Sequence, residues 1–177
     1  REELAEAISA VEERLDNAFV TAVEMIAASP GRVIVAGVGK TGIIGRKIAA
    51  TLASTGTPAF FMHGAEAIHG DLGMLTPHDT VLAISYSGTA NELLTVLSVV
   101  KRMGIPLIAM TGHPQSDLAR NADLHLDVHV EHALEQRRVR VVPDGDEDAR
   151  GGHVAQILVR AGQAPGRSGR RPAVAGD

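Results

Sequence analysis

Three short polar stretches hold the side chains able to do chemistry. Ser85-Tyr86-Ser87-Gly88-Thr89 sets three Ser and Thr hydroxyls within five residues, directly after an apolar run. Hydroxyls beside a helix N-terminus can hold a phosphate without a fixed charge, because free backbone N–H groups supply the positive potential. The same residue types also cap helices, so Ser87 and Thr89 read equally as caps for a helix from about Asn91. A second stretch, Gly37-Val38-Gly39-Lys40-Thr41-Gly42, is another strand-to-helix turn. Its backbone N–H groups, the Thr41 hydroxyl and the Lys40 ammonium make an anion site; its alternative is a tight turn with a surface lysine. The third stretch, His63 to Asp71, carries Glu66 and His69, and Glu92 follows one turn after the serine loop. Carboxylates and imidazoles are the usual general acids and bases, though a lone Glu in a first helical turn is equally a dipole-stabilised surface group.

Neighbouring chemistries fit less well. Gly37-x-Gly39-x-x-Gly42 matches the dinucleotide fingerprint, which also needs an acid about twenty residues on to hold a ribose. Phe60-Phe61-Met62-His63 supplies none. A nucleotide P-loop needs a glycine five residues before Gly39, where Ile34 stands. The His63–Asp71 spacing does not fix a zinc site, so no metal and no cofactor is expected. His125, Asp127 and His129 alternate with apolar residues and read as the solvated face of a strand.

The elements that must position these loops follow from periodicity. Leu4, Ile8, Val11, Leu15, Phe19, Val23 and Ile26 fall at helical steps, predicting one helix over 4–28 ended by Ser29-Pro30-Gly31. Short continuous apolar runs at 32–36, 58–62, 80–84 and 105–110 suit strands buried on both faces. Helices are expected at about 43–55 and 91–103, a short one within 63–74, and a helical turn at 117–121. Residues 124–130 alternate and predict a half-buried strand near a sheet edge. Strand–helix alternation implies an α/β fold: a doubly wound parallel sheet with helices on both faces. Ligands in such folds bind beyond the carboxyl ends of the strands, where all the polar loops fall.

Composition sets the outer bounds. The 177 residues are 45% hydrophobic and 21% charged, which fits a globular domain with its own core. A net charge of −4 and only four aromatic residues, Tyr86 and three Phe, argue against a nucleic-acid surface. The chain has no cysteine, so a disulfide framework and thiolate chemistry are excluded; a reducing, cytoplasmic location fits. No apolar stretch approaches the ~20 residues of a membrane span, and no membrane partner is expected. No signal peptide is visible, and Arg1 stands where an initiator Met would, so the chain reads as a fragment or processed form.

Taken together, the loops resemble the SIS (sugar isomerase) domain, a phosphosugar-binding α/β fold. Gly37–Gly42, Arg46–Ala50, Ser54–Pro58, His69–Met74, Ser85-x-Ser87-Gly88 and Ile108–Gly112 are similar to the arabinose 5-phosphate isomerases within it. That resemblance implies interconversion of ribulose 5-phosphate and arabinose 5-phosphate through an enediol, the entry to Kdo synthesis for lipopolysaccharide. It implies phosphate binding by Thr41, Ser85, Ser87 and Thr89, and catalytic roles for Lys40, His69 and Glu92. It also implies a homo-oligomer, a tetramer in most relatives, with His69 able to serve a neighbouring chain. The alternative is a non-catalytic phosphosugar-binding module or a catalytically broken fragment.

The resemblance covers residues 1–132, expected to form the isomerase-like domain. Residues 133–177 form an atypical tail. It holds eight of the fourteen Arg, no Lys, and Ser168 as its one Ser or Thr. Ala133 stands where the family pattern has Glu, and no Ser-His-Pro-Gly-Gly segment follows. A strand at Val139–Val142, a helix at 153–161 and disorder from 162 are expected, unless the reading frame has shifted. An intact alternative frame in the coding sequence after codon 132 would support the shift, and its absence would exclude it.

Overall fold

The computed structural model of the chain describes residues 2–14 and 16–130. The expected tail elements at 139–142, 153–161 and 162–177 lie outside the described residues. The elements in order are α1 (Glu2–Glu13), α2 (Asn17–Ala28), β1 (Val33–Gly37), α3 (Gly39–Ser54), β2 (Ala59–His63), α4 (Gly64–Ile68), β3 (Thr80–Ile84), α5 (Asn91–Arg102), β4 (Leu107–Thr111), α6 (Asp117–Asn121) and β5 (Leu124–Asp127). A single turn of 3-10 helix at Asp71–Met74 joins α4 to β3.

The five strands are all parallel, in the order β2-β1-β3-β4-β5. The chain therefore steps outward from β1 to β2, then returns to β3 and steps the other way. Right-handed crossovers in opposite directions place their helices on opposite faces. Val33, Val35, Leu82, Ile108 and Leu126 pack with α2 and α3 on one face. Ile34, Ala36, Val81, Leu107 and Ala109 pack with α4, α5 and α6 on the other. Successive residues of a strand point to opposite faces, so these runs carry no polar position: both sides are core. Each such large side chain contributes about 1.5–3 kcal/mol relative to exposure.

The expected single helix at 4–28 is broken. Asp16 is extended (φ −100°, ψ −162°), and its side chain accepts a hydrogen bond from the Ala18 N–H at 2.8 Å. A capping carboxylate offers the backbone a partner that the continuous helix would not use, so it outweighs the apolar periodicity. β5 lies at the sheet edge, as its alternation predicts. It ends at Asp127, three residues short of the expected bound, so His129 lies beyond it, and both histidines are half-buried rather than on a solvated strand face. His125 Nε2 lies 2.9 Å from Thr111 Oγ1, and His129 Nδ1 donates to the Gly112 carbonyl at 3.1 Å. Thr111 is fully buried at the end of β4 and gives its own proton to the His113 carbonyl.

The N-terminal edge of the sheet, where the inner strands β1 and β3 begin, is tied by Asp79. Its carboxylate, 1% exposed, accepts from the Arg32 guanidinium at 3.1 Å, the Arg32 N–H at 2.9 Å and the Thr76 N–H at 2.8 Å. Burial by itself raises this carboxyl's pKa; the hydrogen bonds from Arg32 and Thr76 together outweigh it and hold the pKa below the usual value.

Candidate functional site

The sheet order reverses between β1 and β3, so the loops leaving these neighbouring strands part to opposite faces and open a crevice. Gly37 at the end of β1 is in register with Ile84 at the end of β3 on one side and His63 at the end of β2 on the other. The Gly37–Gly42 turn and the Ser85–Thr89 loop thus stand side by side. Each feeds a helix whose first residue lacks a side-chain cap: Val38 precedes α3 and Ala90 precedes α5. Ser87 and Thr89 do not cap α5, so that reading of them is set aside.

α3 starts at Gly39, about four residues earlier than the apolar pattern suggests. Gly39 has φ +55°, a left-handed conformation that glycine accepts at little cost and that turns β1 straight into the helix. Lys40 is exposed on the first turn of α3. Thr41 is half-buried, and its hydroxyl donates to the Val38 carbonyl at 2.9 Å, leaving its oxygen as an acceptor. The turn carries the dinucleotide spacing, but His63 stands where a ribose-binding acid would.

In the second loop, Ser85 is buried and its hydroxyl oxygen accepts from the Gly88 N–H at 3.1 Å. The exposed Ser87 oxygen accepts from the Thr89 N–H at 3.4 Å and from the Thr89 hydroxyl at 3.2 Å. Both serine oxygens are thus acceptors within the loop. Among the described residues neither serine hydroxyl proton has a partner, so two O–H donors remain for an anion.

Glu92 is exposed in the first turn of α5, and Gly64 joins it to the β1 loop. A Cβ on Gly64 would lie 2.8 Å from Val38 Cγ1 and 3.3 Å from Glu92 Cβ. The starts of α4, α5 and the Lys40 turn therefore meet at one point. His63 opens α4, its Nδ1 accepting from the Ala65 N–H at 3.2 Å, which leaves its proton on Nε2. His69 closes α4 and is exposed. Among the described residues no hydrogen bond links it to Lys40, Glu92 or the serine loop. Six of the seven expected site residues thus lie on the two switch-point loops and their helix starts, and His69 lies at the end of α4 in the segment after β2. No group of three His, Cys, Asp or Glu suited to a metal occurs among the described residues.

A separate cavity of about 180 Å³ lies between α1, α2 and the ends of β4 and β5, lined by Phe19, Met110, His125 and Leu126. It contains none of the expected site residues, and the switch-point crevice is where this topology places ligands.

The family profile described as SIS domain matches residues 25–143. The arabinose 5-phosphate isomerase KdsD of Pseudomonas aeruginosa is 54% identical over 125 residues, covering 71% of this chain and 38% of its own length. KdsD of Escherichia coli K12 is 50% identical over the same shares. The chain thus spans 38% of the length of these curated relatives. Among solved structures, E. coli CFT073 c3406 in complex with A5P is 40% identical with a TM-score of 0.72, covering 89% of this chain and 86% of that one. A phosphoheptose isomerase from Francisella tularensis, 17% identical with a TM-score of 0.69 over 90% and 92%, shares the fold.

Proposed function

This chain belongs to the SIS domain family, and from that premise we propose that it is the sugar-phosphate domain of an arabinose 5-phosphate isomerase. The observation that carries the reading is the serine loop at the switch point. Two hydroxyl protons and the uncapped start of α5 present donors for a phosphate beside the Lys40 turn. The kinship to arabinose 5-phosphate isomerases supports the choice of substrate class.

Within this reading Ser85 and Ser87 donate to the phosphate, and Thr41 and Thr89 join them by turning hydroxyls that otherwise donate to the Val38 carbonyl and to Ser87. Anchoring that group fixes C1 and C2 of the sugar near the Glu92 side of the crevice, so binding energy is used for orientation. Isomerisation moves the C2 proton of the aldose to C1. A base removes it, the enediol forms as the C1 carbonyl oxygen takes a proton, and the C2 hydroxyl then loses its proton as C1 regains one. Glu92 is assigned the carbon-bound proton. Lys40 sits by the substrate oxygens, and His69, reaching a neighbouring subunit of a homo-oligomer, shuttles protons between them. Residues 1–132 form the isomerase-like unit, with a cytoplasmic location for its phosphorylated substrates and no cofactor assigned.

A binding-only module is the second reading, favoured by Ala133 where the family pattern has Glu. Calorimetric titration with arabinose 5-phosphate and with free arabinose tests what the two readings share. Saturable binding of the ester alone is expected; equal binding of both sugars would remove the phosphate site. Turnover then separates the enzyme from the binder.

A further inference from the structure

We propose that Tyr86 is the positioning residue of the phosphate loop, clamping it to the loop after β4 and to Val130 in the segment after β5. The proposal rests on the phosphosugar reading above.

Tyr86 lies between the two serines, yet its side chain makes no contact with either in the hydrogen-bond network. Its ring instead covers Gly112: a Cβ there would meet Tyr86 Cε2 at 2.4 Å and Cζ at 2.7 Å. The ring also meets His113 edge-on, with centroids 5.4 Å apart. Its hydroxyl donates to the Val130 carbonyl at 3.2 Å and accepts from the Val130 N–H at 3.4 Å. The Tyr86 carbonyl accepts from the Gly112 N–H at 2.9 Å. One residue thus ties the serine loop to the next loop along the sheet by ring, hydroxyl and main chain at once.

The clamp continues through the loop. The Gly88 carbonyl accepts from the Leu118 N–H at 3.1 Å, so the far end of the loop is held by the start of α6. Ser85 stands directly before the first of these fixed points and Ser87 lies between them; their protons are the proposed phosphate donors. Neither serine is held by a bond from outside its own loop except through the Ser85 N–H to the Met110 carbonyl. The aim of both hydroxyls is therefore set by Tyr86 on one side and α6 on the other. Only glycine at 112 leaves room for the ring, so Tyr86 and Gly112 act as a pair.

The test uses the full chain, with arabinose 5-phosphate and inorganic phosphate as probes and amide exchange as a ligand-free readout. In Tyr86→Ala, exchange at Gly88 and Gly112 should rise about tenfold or more while β1 amides keep their rates. Affinity for both probes should fall about ten- to a hundredfold, the range that ångström-scale misplacement costs. Tyr86→Phe keeps the ring and should restore affinity to within about threefold of wild type. Gly112→Ala, whose Cβ would push the ring aside while Tyr86 itself is kept, should lower affinity by the same factor and carries the test should Tyr86→Ala fail to fold. Normal probe affinity in Tyr86→Ala or in Gly112→Ala overturns the proposal, as does unchanged exchange at Gly88. Wild-type protein that binds neither probe overturns the phosphosugar reading itself, and the role of the clamp with it. The two failures are told apart by whether wild type binds.

Discussion

Gly88 lies so close to Ser116 that a Cβ on Gly88 would stand 2.1 Å from the Ser116 hydroxyl oxygen. The serine loop is therefore pressed onto the cap of α6, whose first turn Ser116 holds by accepting from the Ala119 N–H. Gly88 also has φ +65°. Gly88→Ala combines a left-handed backbone penalty of about 1–2 kcal/mol with overpacking of about 1–3 kcal/mol. Thermal melts should show a loss of about 2–5 kcal/mol, set against Gly73→Ala, where a Cβ meets nothing within 4 Å. Equal melts for the two variants would mean that the loop is free to move off α6.

The two serines should separate in their effects. Ser87→Ala removes one hydroxyl donor to the phosphate, a bond to a charged group of about 1.5–3 kcal/mol, so affinity should fall roughly ten- to 150-fold with stability nearly unchanged. Ser85→Ala should weaken binding similarly and also lower stability by about 1 kcal/mol, because Ser85 is buried and accepts from Gly88. Titration with arabinose 5-phosphate and chemical denaturation read the two quantities independently. Unchanged affinity in both variants would take the phosphate away from this loop.

Asp79 makes stability depend on pH. Burial works against its charge, but Arg32 and Thr76 hold its folded pKa below the ordinary value near 3.8. A carboxylate with a depressed folded pKa contributes its full stability above the unfolded pKa. That contribution is lost as pH falls through the lowered folded value. Asp79→Asn should cost about 1–3 kcal/mol at neutral pH, discounted because Arg32 is 41% exposed and can be solvated again. The gap between wild type and variant should close in denaturation curves taken below about pH 4. A constant gap across the acid range would show that the carboxylate's charge is not what stabilises the edge.

Much of this arrangement is legible along the chain because its determinants are local. The apolar run Thr80–Ile84 and the turn Asp117–Asn121 form at the bounds their residues suggest. The alternation of strands and helices gives the doubly wound sheet, and the expected site residues all fall in the loops and helix starts beyond its carboxyl ends. What escapes the sequence is pairing between distant residues. Tyr86 and Gly112 carry no shared periodicity, although Gly112 after a buried strand is a signal of close approach. Arg32 and Asp79 lie 47 positions apart and meet only because β1 and β3 are neighbours. Asp16 breaks the first helix through a cap that competes with a sound helical pattern.

Glu92 has its Cβ at the junction of the Lys40 turn, α4 and α5. Glu92→Gln keeps the shape of the side chain and removes its capacity as a base. Turnover should drop by about 10²- to 10⁴-fold while arabinose 5-phosphate still binds within about threefold of wild type. Full activity in the variant would remove Glu92 from the proton transfer.

The most direct measurement is an isomerase assay on the purified protein, starting from arabinose 5-phosphate with no added metal or nucleotide and following ribulose 5-phosphate. The expected result is ribulose 5-phosphate formation that approaches equilibrium from either sugar and is slowed by at least about 10²-fold in Glu92→Gln. Folded protein that binds the sugar phosphate saturably yet forms no ribulose 5-phosphate would contradict the isomerase assignment and leave a phosphosugar-binding module in its place.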